Sequence, residues 1–324
     1  MAETSANAVI ARLQPGRRPD GIVAVLMPFL NGSPDYGGLV RQIRRVSEAG
    51  LTTAVNMDTG YVQWLSPAQR GKALAVTCDT VTACSGAAKP RFVAGAFVEN
   101  GPGSLADRYR REMDRIEALG GTPILFPCPE LRALSEPEAV DLFRKTTGAR
   151  SGVLLFELGE MFVPYGRIYS AATFEALLDL PGVAGLKHSS LRREAEWARL
   201  QTRDLRRPDF RVYTGNDLAI DMIMYGSDYL LGLASFHAEA FARRDQLWEA
   251  GDARFYGLND RLQYLGAFAF RHPVPAYRHD AARFLRLRGI IESDAPPAGA
   301  PMRPEGDQDV LQDILHDIEE ELLR

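Results

Sequence analysis

Only four lysines stand among 34 arginines in this 324-residue chain, at positions 72, 89, 145 and 187, so each can be weighed singly. Lys187 has the most informative surroundings. It closes the apolar run Gly182-Val183-Ala184-Gly185-Leu186 and is followed by the small polar stretch His188-Ser189-Ser190. A lysine at the buried end of a strand either pairs with an acid or gives up its charge. A desolvated amine is nucleophilic toward carbonyl carbon, which is the basis of Schiff-base catalysis. The competing reading is a structural ion pair with an inward carboxylate such as Glu157 or Asp58. Other polar groups stand at the ends of similar runs: Asp58-Thr59-Gly60-Tyr61, Glu99-Asn100, Glu157 after Phe156, Gly215-Asn216-Asp217, and Gly232-Leu233-Ala234-Ser235.

Eight such runs must position these groups: Gly21–Met27, Leu51–Met57, Arg91–Val98, Thr122–Phe126, Gly152–Phe156, Gly182–Lys187, Phe210–Gly215 and Asp228–Leu233. They are continuous rather than alternating, as strands buried on both faces should be. Helical segments lie between them. Asp35–Glu48 puts Leu39, Ile43 and Val46 on one face, and Ser66-Pro67-Ala68-Gln69 and Ser135-Glu136-Pro137-Glu138 read as helix-opening capping boxes. Ser104–Leu119, Leu191–Leu205 and Asn216–Tyr225 complete the set of expected helices. Strands alternating with helices predict an α/β fold, a closed (β/α)8 barrel (TIM barrel), over an open doubly wound sheet. No G-x-G-x-x-G follows the first strand and no P-loop sequence occurs, which weakens the open sheet further. The expected division is an irregular segment 1–20, a barrel 21–235 and a C-terminal helical extension 236–324. Within the extension, Phe236–Ala250, Gly257–Phe270, Tyr277–Leu287 and Asp307–Arg324 read as helices, with Ala295–Gly306 as a Pro/Gly-rich linker.

Composition narrows the partners. At 46% hydrophobic and 25% charged residues the chain is of ordinary globular type, and its formal charge of −4 argues against nucleic acid. No apolar run approaches the roughly 18 residues of a membrane span, and the opening residues have no signal-peptide core. Cys78, Cys84 and Cys128 are an odd, sparse set that fits a reducing, cytoplasmic setting, and no Cys/His cluster has zinc-ligand spacing.

From about residue 20 to 290 the chain resembles the dihydrodipicolinate synthase / N-acetylneuraminate lyase superfamily of class I aldolases. Gly21–Phe29 is similar to its opening strand with a Pro-Phe end. Its Gly-Thr-Thr-Gly-Glu loop, then Leu-Ser and an Arg, stands as Met57-Asp58-Thr59-Gly60-Tyr61, Leu65-Ser66 and Arg70. The Gly-hydrophobic-Lys-x-Ser strand of the Schiff-base lysine stands as Gly185-Leu186-Lys187-His188-Ser189. The Gly-x-Asp turn is Gly215-Asn216-Asp217, and the run entering strand eight is Gly226-Ser227-Asp228 onward to Gly232. Two departures stand out. Phe156-Glu157 takes the place of the strand-five tyrosine, and Pro127-Cys128-Pro129 lacks the phenols that often follow strand four. The resemblance therefore implies a Schiff-base lyase, aldolase or dehydratase acting on a pyruvate-type 2-oxo acid, but not a true dihydrodipicolinate synthase.

In that reading Lys187 is the nucleophile, and Glu157 or Asp58 moves protons. Glu157 has the alternative of an ion pair holding Lys187. Thr59 and Gly60 supply donors to the substrate carboxylate, and Tyr61, Phe156, Gly215 and Leu233 line the substrate. Tyr61 and Tyr165 are reserve proton donors or packing aromatics, and strand alternation turns His188 outward. No metal or organic cofactor is required, because the imine withdraws electrons. The resemblance also implies a homotetramer or homodimer. A different class of reading is a catalytically silent member that binds a small metabolite.

Overall fold

The eight apolar runs form strands because β-branched and small residues buried on both faces suit a parallel ladder covered by helices. In this computed structural model residues 12–85 and 91–324 are described. The first eleven residues of the expected irregular segment, and Lys89, lie outside them. The strands are β1 (Gly21–Ala24), β2 (Thr52–Val55), β3 (Phe92–Ala96), β4 (Thr122–Leu125), β5 (Val153–Leu158), β6 (Val183–Ser189), β7 (Arg211–Thr214) and β8 (Asp228–Leu231). Each pairs in parallel with its neighbours in chain order, and β8 returns to β1 with Gly21 opposite Tyr229, closing the ring. The expected (β/α)8 barrel is the observed fold.

Around it run α1 (Tyr36–Glu48), α2 (Pro67–Ser85), α3 (Leu105–Ala118), α4 (Glu136–Thr147), α5 (Ala171–Leu178) and α6 (Arg193–Arg206). Both capping boxes form: the Ser66 amide meets Gln69 Oε1 at 2.8 Å and the Ser135 amide meets Glu138 Oε2 at 2.8 Å. Helix α5 carries no amphipathic signal, since its eight residues are mostly apolar; Ser170 caps it by accepting the Thr173 amide. The expected helix Asn216–Tyr225 is instead a turn followed by a 3-10 helix, Ile220–Tyr225. The Asn216 side chain accepts the Leu218 amide at 3.1 Å, an Asx turn that draws the first residues out of helical register.

The extension forms α7 (Ala238–Glu249), α8 (Arg254–Ala269), α9 (Tyr277–Leu287) and α10 (Asp307–Leu322). Helix α10 packs its buried Leu311, Ile314, Leu315 and Ile318 against α8 and α9. Residues 295–306, expected as a linker, are a strap. Within them Arg303 is buried and donates to the carbonyls of Ala269 (2.8 Å), Arg271 (2.7 Å) and His272 (3.2 Å), and to Asp280 Oδ2 (3.1 Å). These bonds fix the end of α8 relative to α9, whose first residue enters the barrel mouth. No helix among the described residues is long and apolar enough to cross a membrane.

Candidate active site

Successive side chains of a strand point to opposite faces, so register decides which groups share the barrel interior. Phe156 lies opposite Lys187 and Glu157 opposite His188 on β5 and β6. The first pair faces inward. The Lys187 amine lies 4.3 Å from the Phe156 ring centroid and 3.7 Å from Asp58 Oδ1, and the residue is 3% exposed. At that separation the ion pair is not a hydrogen bond, and among the described residues the amine has none. Gly215 makes room for it: a Cβ there would collide with Ser189 Oγ and sit 2.8 Å from Lys187 Cε.

The second pair faces the helical layer. Glu157 accepts from His188 Nδ1 (2.6 Å), Arg199 Nη2 of α6 (2.9 Å) and the Tyr169 amide (2.8 Å). Burial pushes its carboxyl up, but the His188 and Arg199 charges and hydrogen bonds outweigh burial and hold it down at about 2. The fold thus does not bring Glu157 to Lys187, either as a proton carrier or as an ion-pair partner. Asp58 is the carboxylate that meets the lysine, and His188 points outward as alternation requires.

The loop after β2 departs from the expected carboxylate cradle. The amide of Gly60 donates to the Met57 carbonyl (3.0 Å), that of Tyr61 to Asp58 (3.1 Å) and that of Val62 to Met57 (3.3 Å). Gly60 is needed for close packing, since a Cβ would lie 3.2 Å from the Val25 carbonyl oxygen. Tyr61 holds a left-handed backbone at φ 54°, and its buried hydroxyl has no partner among the described residues. Thr59 Oγ1 is engaged with the hydroxyl of Tyr277 at 2.8 Å. The Leu233 amide is also occupied, donating to Asp217 Oδ1 at 2.8 Å. Of the expected donors, the hydroxyl of Thr59 and the amide of Gly60 therefore have protein partners.

Three groups at the mouth carried no expected role. Tyr277 donates to Asp58 Oδ2 at 3.0 Å, stacks on Phe270 at 4.2 Å between centroids, and meets the edge of Phe162. Gly232 admits its ring, because a Cβ would lie 3.1 Å from Tyr277 Cε2. Arg278 donates to the Asp58 carbonyl (3.2 Å), and its guanidinium lies over the Tyr61 ring at 4.8 Å. Asp217 is fully buried. Burial pushes its carboxyl up to about 7; the Leu233 amide and Lys187 pull against this, and Asp58 adds to it. Asp217 was signalled by its position at the end of β7 and by the Gly-x-Asp turn of the resemblance, whereas Tyr277 and Arg278 lie in the extension with no local signature.

The site has two walls. Phe97, Phe126 and Phe156 form an edge-to-face series with centroids 5.6 and 5.4 Å apart. Asp58, Lys187, Asp217 and Tyr277 form the polar wall. The hydroxyls of Tyr61, Tyr165 and Ser189 and Asp58 Oδ1 are buried there without partners among the described residues. Burial pushes the Tyr61 and Tyr165 phenols up to about 12, so both stay protonated donors near neutral pH. No group of three His, Cys, Asp or Glu side chains among the described residues is placed to hold a metal ion.

No family model and no curated protein matches the sequence. Solved structures do match the fold. A putative dihydrodipicolinate synthetase from Pseudomonas aeruginosa aligns over 92% of this chain and 99% of its own, with 19% identity and a TM-score of 0.76. YagE, a prophage protein of the dihydrodipicolinic acid synthase family from E. coli K12 solved in complex with pyruvate, aligns over 93% and 98%, with 17% identity and a TM-score of 0.79. Dihydrodipicolinate synthase from Thermotoga maritima aligns over 94% and 99%, with 17% identity and a TM-score of 0.77. The architecture suggested by the sequence motifs is therefore shared with solved structures of that family along nearly the whole chain.

Proposed function

We propose that this protein is a Schiff-base-forming lyase acting on the ketone of a small 2-oxo acid, and a divergent member of the dihydrodipicolinate synthase / N-acetylneuraminate lyase superfamily. The observation that carries the reading is the Lys187 amine: inside the strand ring, without a hydrogen bond among the described residues, and with one carboxylate oxygen 3.7 Å away. The pyruvate complex of the E. coli family member supports the choice of substrate class.

The free-base amine attacks the ketone carbon and forms a C–N bond. The resulting carbinolamine takes up a proton on its hydroxyl and loses water to give a protonated imine. That imine accepts the electron pair of a C3–H or C3–C bond, leaving an enamine. Asp58, 3.7 Å from the amine, is the carboxyl group that receives and returns the proton. Because the Gly60, Tyr61 and Val62 amides of the β2 loop donate to the loop's own carbonyls, Arg278 is the cation assigned to the substrate carboxylate, with the Tyr61 and Tyr165 hydroxyls as neighbouring donors. The three phenylalanines face the remainder of the substrate.

Incubation with pyruvate or a longer 2-oxo acid and borohydride tests this. A reduced adduct mapped to Lys187, absent in Lys187→Ala, is the expected result. If none of the 2-oxo acids leaves an adduct, the protein is a binding module and the proposal fails.

A further inference from the structure

We propose that Tyr277, the first residue of α9 in the C-terminal extension, is the positioning residue that holds Asp58 as proton carrier for Lys187. This inference rests on the Schiff-base reading above. It supplies the phenol that Phe156 removed from strand five, from a different element and by a different contact.

The geometry forms one chain. Thr59 Oγ1 lies 2.8 Å from the Tyr277 hydroxyl, that hydroxyl lies 3.0 Å from Asp58 Oδ2, and Asp58 Oδ1 lies 3.7 Å from the Lys187 amine. A phenol has one hydrogen. Donated to the Asp58 carboxylate, it leaves Thr59 as the donor to the phenol oxygen, so the bonds run in one sense toward the carboxylate and polarise one another. Oδ2 is held and Oδ1 is without a partner among the described residues. Arg278 fixes the same residue from its carbonyl at 3.2 Å.

The held orientation matters in the step after imine formation, because a carboxylate free to turn would not keep Oδ1 aimed at the carbon that loses its proton. Tethered by Tyr277, Asp58 presents one oxygen to that carbon. In the enamine step the C3–H bond breaks, its electron pair enters the imine, and the proton passes to Asp58 Oδ1. Tyr277 does not touch the reacting atoms. Its ring is held by Phe270 and accommodated by Gly232, so a phenylalanine fills the same space.

The experiment compares wild type, Tyr277→Phe and Asp58→Asn in two readouts. One is the yield of borohydride-trapped Lys187 adduct with pyruvate; the other is loss of deuterium from methyl-labelled pyruvate to water. In Tyr277→Phe the expected adduct yield is within about twofold of wild type, while deuterium loss at saturating pyruvate falls on the order of 10²-fold, the scale of general acid–base contributions. Asp58→Asn shows the same split, and the double variant loses little more than either alone. Wild-type exchange in Tyr277→Phe overturns the proposal, as does parallel loss of adduct and exchange, which a purely structural role would produce. Absence of any adduct in wild type identifies failure of the Schiff-base reading itself.

Discussion

Asp217 is the residue at this site whose protonation changes closest to neutrality, and its consequence is measurable without a substrate. Burial pushes its carboxyl from 3.8 up to about 7. The native state therefore binds a proton that the unfolded chain releases between those values. The stability this contributes is fully present below about pH 4, declines as pH rises and is gone once pH passes about 7. The upper bound is roughly 4 kcal/mol, since each tenfold change in proton affinity is worth about 1.4 kcal/mol. Urea unfolding from pH 4 to 8 should show the wild-type advantage over Asp217→Asn shrinking across this interval. A pH-independent difference would contradict the assignment. Asparagine still offers an oxygen to the Leu233 amide, so the comparison isolates the charge. Sequence placed Asp217 at a strand end, but only its complete burial in the folded molecule gives it this behaviour.

At the scale of elements, the pairing of β5 with β6 separates chemistry from support. Phe156 and Lys187 face the interior; Glu157 and His188 face α6. Glu157→Gln should destabilise the fold by about 3 kcal/mol, because it removes the charge that compensates buried Arg199. Borohydride labelling of Lys187 should be retained where the variant is folded. Loss of labelling with an unchanged denaturation midpoint would mean that Glu157 serves the reaction directly. The held-down carboxyl also fixes a sign: its stability contribution is present above about pH 4.5 and lost as pH falls toward about 2. Alternation within β6 made the outward turn of His188 legible. The matching turn of Glu157 depends on register between two strands, and that register shifts at Val153/Leu154, which local sequence does not specify.

At the scale of the molecule, the extension belongs to the site rather than merely flanking the barrel. Arg303 secures the end of α8 to Asp280 of α9 and thereby the approach of Tyr277. Arg303→Met should lower stability by about 2–3 kcal/mol, since it leaves buried Asp280 with only the partly exposed Arg271, 3.4 Å away, among the described residues. Deuterium exchange from pyruvate should fall more than adduct yield in the folded fraction. An unchanged denaturation midpoint would show that the strap does not secure this face. Hydrophobic runs, caps and turn residues act over a few positions, so the eight-stranded barrel and the arrival of Lys187 at a strand end were legible in the chain alone. That Asp58 rather than Glu157 meets the lysine, and that the phenol comes from Tyr277, became visible only in the folded molecule. Those contacts depend on inter-strand phase and on packing between residues 218 and 219 positions apart, which no local pattern encodes.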